Sequence, residues 1–196
     1  MEPIPDAAEF FRRSAGVWRS QRTSHHLLHR RAETGASLIE VQTLDPGDAR
    51  LEAIARLHGQ DAARLSGGCH VRWTASMAWD RAGEDHEGET LFALVPTQPG
   101  GREGLLLRDR GYAETSPVAG RFEMDDEDGL VLITSYETME SRERFWFLCQ
   151  DVRLRASTVE GLSNTASLCI ETRMEVALPD RVDRPELQPS GSALGW

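Results

Sequence analysis

Residues 134–157 read TSYETMESRERFWFLCQDVRLRAS, two β-prone apolar runs set around a polar break at Glu140–Arg142 and a second break near Gln150–Asp151. Successive side chains of a strand point to opposite faces, so residues two apart share a face. On that count Glu143, Phe145, Phe147 and Cys149 lie on one face, and Arg153, Arg155 and Ser157 lie on one face after the second break. If either set points inward, the sheet encloses charge. An unpaired buried ion costs on the order of several kcal/mol, so interior charge requires partners. A ligand with charges of its own is the natural one.

The rest of the chain continues the same pattern of short strands. Strand-like runs fall at Val17–Leu28, Ser37–Leu44, Cys69–Trp79, Glu89–Val95, Gly104–Arg108, Val118–Met124, Leu130–Thr138, Arg144–Cys149, Val152–Val159 and Thr165–Val176. The run at Cys69 puts Val71, Trp73, Ala75, Met77 and Trp79 on one face. Asp125–Gly129 is acidic, ends in Gly and sits between apolar runs, which predicts a solvated hairpin loop. Two segments read as helices. Residues 6–14 carry a capping Asp6 with Ala7, Phe10 and Phe11 on one side, and Leu51, Ile54 and Ala55 recur at helical spacing until Gly59. Nine or ten closely spaced strands with two short helices predict an antiparallel barrel or sandwich. A barrel of that strand number has room for side chains or one small ligand, and the helix at 6–14 is placed to plug one end. Residues 1–178 form the expected domain, and 179–196, rich in Pro, Gly and Ser, a loose tail.

Composition narrows the function classes. A formal net charge of −10 disfavours a nucleic-acid binder, which needs a basic surface. The N-terminus lacks the charged and apolar regions of a signal peptide, and no apolar run reaches the ~18 residues of a membrane span, so a cytoplasmic location is expected. Cys69, Cys149 and Cys169 have no metal-site spacing and read as buried free thiols. His25 and His26 are adjacent and point to opposite strand faces, so no metal site is expected. There is no GxSxG elbow, no P-loop and no GxGxxG opening a helix after a strand. The chain offers no strong nucleophile.

The remaining candidates each have two readings. The Trp73/Met77/Trp79 face is either core or a wall for a flat conjugated ligand. Arg153 and Arg155 are either a solvated ion-paired face or a fork for carboxylates. Glu143 and Glu171 either pair with those arginines or act as counterions to a ligand bearing N–H groups.

Several strings carry a family resemblance, in order along the chain. They are FFRRSAGVWRSQRT (10–23), MAWD (77–80), LLRDRGYAE (106–114), PVAGRFEM (117–124), YETM (136–139), ERFWF (143–147), RLR (153–155) and TASLCIE (165–171). The chain resembles the S/U-type phycobiliprotein lyases, which attach linear tetrapyrroles (bilins) to phycobiliprotein subunits. The resemblance implies a lipocalin-like antiparallel β-barrel whose substrate is a bilin, phycocyanobilin or phycoerythrobilin, with no prosthetic group. It implies that a cysteine thiol of the acceptor subunit adds to the ring-A ethylidene to form a thioether, so the nucleophile belongs to the acceptor. Arg153, Arg155 and Ser157 would bind propionates or ring carbonyls. Glu143 or Glu171 would accept hydrogen bonds from ring nitrogens and favour the protonated, more electrophilic bilin. Met77 and Trp79 would set the twist of the ring system, with Trp18 and Arg22 near the entrance. The alternatives are a bilin carrier or, as in some members of such a family, a chain that works with a paralogous partner; a sheet with apolar residues on both faces also has surface for a homodimer. Asp151 stands where relatives commonly carry Asn, and Glu160-Gly161-Leu162 is less basic and aromatic than expected. Both differences bear on pigment or partner choice.

Overall fold

A computed structural model describes residues 2–77, 86–109, 119–161 and 164–175. Helix α1 (Ala7–Ser14) leads into strands β1 (Gly16–His26) and β2 (Arg31–Leu44). Helix α2 (Ala49–Leu57) and one 3-10 turn (Ala62–Arg64) precede β3 (Gly67–Met77) and β4 (His86–Pro96). There follow β5 (Glu103–Arg108), β6 (Ala119–Met124), β7 (Leu130–Ser135), β8 (Met139–Cys149), β9 (Val152–Gly161) and β10 (Thr165–Met174). Each strand pairs antiparallel with the next, and β10 pairs back onto β1, so the ten-stranded sheet is a closed barrel. Closure leaves no free edge in a sheet that would otherwise expose one. Of the two architectures the pattern allowed, the barrel is the one formed.

The two-residue period sorts the side chains. Inward positions on the lower barrel are apolar: Ile39, Val41, Leu94, Leu106, Phe122, Leu130 and Leu132 form one buried cluster with Phe10 and Phe11 of α1. α1 forms because Asp6 caps it, accepting from the Glu9 N–H at 2.7 Å, while Glu9 and the pair Arg12, Arg13 sit at the ends that suit the helix dipole. Its apolar face closes one end of the barrel, with Phe10 and Phe147 rings 5.0 Å apart. The other end, where β1, β3 and β9 finish, is the mouth. α2 lies outside: Leu51, Ile54 and Ala55 pack with Ala93, Val95 and Leu107 on the outer faces of β4 and β5. The outer faces of β8 and β10 leave Leu148, Leu168 and Ile170 exposed.

Four sequence expectations are corrected. The break placed at Glu140–Arg142 falls earlier, at Tyr136–Thr138, because β8 runs unbroken from Met139 and its polar residues alternate with inward ones. Cys149 does not share the face of Phe147, because the β8–β9 register shifts between these two residues and turns the thiol to solvent. Arg31–Thr34 extend β2 although all but Ala32 are polar, since they pair with β1 up to the hairpin. The acidic loop is more than a solvated turn. Asp125 accepts from the Glu127 and Gly129 N–H groups and pairs with Arg144, and Asp128 accepts from the Ile4 N–H at 3.0 Å, tying down the N-terminus. The tail at 179–196 lies outside the described residues.

Candidate functional site

Strand register brings the charged residues together. One inward rung is Ser20, Glu171, Arg153 and Phe147, directly opposite one another on β1, β10, β9 and β8. The rung above is Arg22, Cys169, Arg155 and Phe145, and the next is Ser24, Ser167, Ser157 and Glu143. Facing neighbours on adjacent strands lie ~5 Å apart and diagonal ones ~7–8 Å, within reach of Arg and Glu. Arg153 Nε and Nη2 stand 2.7 and 2.6 Å from Glu171 Oε2. Arg155 Nε is 3.3 Å from Glu171 Oε1, and its Nη1 donates to Glu143 Oε1 at 3.4 Å. Arg108 Nη2, from β5 across the lumen, is 3.9 Å from Glu143 Oε2. The result is an alternating chain, Arg153–Glu171–Arg155–Glu143–Arg108, with one guanidinium in excess.

The first four members of this chain form one wall of a cavity of about 590 Å³ that reaches from α1 to the mouth, and Arg108 reaches in from the facing side. Small-ligand sites typically span ~300–1,000 Å³. The facing wall is mainly apolar and aromatic, with Phe92, Trp73, Val71 and Ala75 beside the polar Ser37, His86 and Thr90, and Met77 near the mouth. The Arg22 Nη2 is 3.0 Å from Met77 Sδ. Gly88 lies directly across from Trp73, and its missing Cβ is where the indole sits; a Cβ there would come within 2.3 Å of the ring.

The two carboxylates differ. Glu171 has no exposed surface and also accepts from the Ser20 hydroxyl at 3.4 Å. Burial by itself raises its pKa, but the charges of Arg153 and Arg155 outweigh that and hold it below the ordinary value. Glu143 is partly open and held by longer contacts. Arg153 is also buried, and its guanidinium stacks 4.6 Å from the Trp18 ring. Burial pulls its pKa below the ordinary arginine value, with Glu171 opposing. The Cys69 thiol lines the cavity floor. Burial pushes its pKa up to about 12, against the opposing charges of Arg153 and Arg108. It therefore stays a neutral thiol near pH 7, a poor nucleophile.

Of the residues singled out in the sequence, Arg22, Met77, Glu143, Arg153, Arg155 and Glu171 all line the cavity. Ser157 faces inward opposite Glu143, one rung nearer the mouth than Arg155. Trp18 is not at the entrance. It is fully buried at the α1 end, donating from Nε1 to the Ser14 carbonyl at 2.8 Å, between the guanidiniums of Arg153 and Arg173. Its ring is a floor for Arg153. Trp79 lies outside the described residues. Arg108 was missed, although Gly104, Leu106 and Arg108 alternate inward and the charge at the end of GLLLR was a readable signal. Among the described residues, no three His, Cys, Asp or Glu side chains are grouped to hold a metal.

The family model for CpeS-like proteins matches residues 6–174, the whole barrel with its plug. The chain belongs to the CpeS-like family. Among relatives of this CpeS-like chain, a chromophore lyase CpcS/CpeS 2 of Paulinella chromatophora is 66% identical over 88% of this chain and 87% of its own. A phycocyanobilin lyase subunit CpcS of Picosynechococcus is 48% identical over the full length of both. A solved structure of the S-type phycobiliprotein lyase CPES from Guillardia theta superposes with a TM-score of 0.76 at 29% identity, covering 88% of this chain and 94% of that one. This CpeS-like barrel thus has the lipocalin-like lyase fold that the sequence resemblance implied. No helix among its described residues is long and apolar enough to cross a membrane.

Proposed function

We propose that the chain is a phycobiliprotein chromophore lyase of the cytoplasm, which takes up a linear tetrapyrrole and passes it to a cysteine of a phycobiliprotein subunit. The observation that carries this reading is the alternating guanidinium–carboxylate wall facing an aromatic wall across one cavity, in a CpeS-like chain. A bilin has a matching two-sided chemistry: conjugated rings for the Trp73 and Phe92 side, two propionates for guanidiniums, and ring N–H groups for a carboxylate. Arg155 and Arg22 are the guanidiniums placed to meet a propionate, since they stand one rung nearer the mouth than Arg153, and Arg155, although paired with Glu171 and Glu143, is more open than Arg153. Glu143 accepts from the ring nitrogens and stabilises the positive charge of the protonated bilin, which draws electrons from the ring-A ethylidene.

The reaction adds the acceptor's S–H across the ethylidene double bond. A carbon–sulfur bond forms, the carbon–carbon π bond is lost, and the thiol proton ends on the pigment, so no oxidant or reductant is consumed. The chain's own cavity thiol is kept neutral, which favours transfer to the acceptor over self-attachment.

A second reading has one observation in its favour. The full-length Picosynechococcus relative is named a lyase subunit, and the exposed Leu148, Leu168 and Ile170 offer a face for another chain. On that reading the chain binds the bilin and needs a paralogous partner for transfer.

The test mixes purified protein with phycocyanobilin or phycoerythrobilin, adds single recombinant apo-subunits, and denatures in acid. A zinc-fluorescent band on the subunit that depends on this protein establishes the lyase. Uptake of pigment with no covalent product supports the partner-dependent reading. No spectral change with either pigment rejects both.

A further inference from the structure

Arg108 is the one member of the charged chain contributed by the far side of the barrel. β5 and β8 are separated by β6 and β7, so the contact with Glu143 spans the lumen rather than a strand ladder. Three contacts among the described residues help hold it there. The ring of His58, at the C-cap of α2, donates from Nε2 to the Arg108 carbonyl at 2.8 Å from outside the barrel. The guanidinium lies over Phe92, its Cζ 4.6 Å from the ring centroid. Its Nη2 then faces Glu143 Oε2 at 3.9 Å, while Arg155 holds Oε1 from the other side. The side chain is almost wholly buried, at 4% exposure. Packing does not call for a charge at this position, because Leu106, the next inward residue on β5, already fills the core with no exposed surface. Desolvating a guanidinium is costly unless it has a charged partner, and Glu143 is a carboxylate within reach.

We propose that Arg108 is a positioning residue for the reaction: with Arg155 it clamps the two oxygens of Glu143 from opposite sides, so that the carboxylate edge is presented to the ring nitrogens of the bilin. Arg108 acts through Glu143, not on the pigment. The inference rests on the lyase reading above and adds a residue to it. The clamp also divides the two glutamates. Glu171, enclosed by Arg153, Arg155 and Ser20, anchors the wall, and Glu143, held at 3.4 and 3.9 Å, is the one that meets the substrate.

A double-mutant cycle tests this, with Arg108→Gln, Glu143→Gln and the double variant compared for bilin affinity, the absorption band of the bound bilin, and transfer rate to the apo-subunit. Expected are bilin affinity within about threefold of wild type in Arg108→Gln, a transfer rate roughly tenfold lower, and a band moved part of the way to that of Glu143→Gln. The double variant should be no slower than Glu143→Gln alone, because two residues in one interaction are non-additive. Arg108→Lys keeps the charge and should recover at least half of the lost rate, which excludes a folding defect as the cause. Additive effects in the double variant, or a loss of affinity of tenfold or more in Arg108→Gln, would overturn the clamp while leaving the lyase reading intact. Wild-type protein that binds no bilin would overturn both.

Discussion

Arg153 and Glu171 face each other on neighbouring strands with Nη2 and Oε2 2.6 Å apart, and both side chains are sealed from solvent. The pair is the fixed base of the charged wall. Arg155 and Glu143 stand one and two rungs nearer the mouth, where the proposed ligand would meet them.

Breaking that base should cost more than replacing it. Removal of one partner leaves an uncompensated buried charge, so Glu171→Ala is expected to destabilise the protein by ~3–5 kcal/mol. Replacing Arg153 and Glu171 together by Met and Leu should cost far less. Urea unfolding of the three proteins measures both, and equal losses in single and double variants would contradict the pairing.

The same pair sets an acid limit. The pKa of Glu171 is lower in the folded protein than its ordinary 4.5, so its stabilising contribution is complete above that value and is lost as pH falls below it through the folded-state pKa. Asp125, whose burial is outweighed by hydrogen bonds from Arg144 and the Gly129 and Glu127 amides, is also lowered and adds to the same limb. Unfolding free energy should be flat between about pH 6 and 8 and decline below about pH 4.5. Glu171→Gln, less stable at neutral pH, should show a shallower decline. An unchanged slope would place the acid sensitivity elsewhere.

The cysteines should react unequally. Cys149 is exposed at the β8–β9 turn, whereas Cys69 and Cys169 are buried. Iodoacetamide at pH 7.5 should add one label to the folded protein and three after denaturation, read by intact mass. Labelling of Cys69 in the native state would show that its thiol is neither sealed nor held neutral.

Cavity width depends on Gly88. A methyl group there must displace the Trp73 indole, whose Cζ2 would be 2.3 Å away. Gly88→Ala is expected to shift Trp emission and weaken bilin uptake roughly tenfold while the barrel stays folded by circular dichroism. Unaltered uptake would mean that the Trp73 wall does not touch the pigment.

The fold was readable because a closed antiparallel barrel imposes a local rule on every strand: Val71, Trp73, Ala75 and Met77 alternate inward, and so do Arg153, Arg155 and Ser157. The rule fails where register slips, as between Phe147 and Cys149, since a bulge leaves no mark in a two-residue pattern. It also failed at Glu140–Arg142, where a charged run inside a strand looks like a turn. The site was legible as far as single strands went. Which charges meet across the lumen depends on barrel closure, so the Arg108–Glu143 contact, with two strands between, was invisible. Trp18 was misplaced for a similar reason: the sequence puts it beside Arg22, but four residues along a strand separate the plugged end from the mouth.

The most direct measurement is the visible absorption of one bilin titrated into wild-type protein and into Glu143→Gln. The account predicts saturable binding by both with affinities within about threefold, a red-shifted band of protonated pigment in wild type, and loss of most of that shift in the variant. Identical bands in the two proteins, or no saturable binding by wild type, would contradict a charged wall built to hold and activate a bilin.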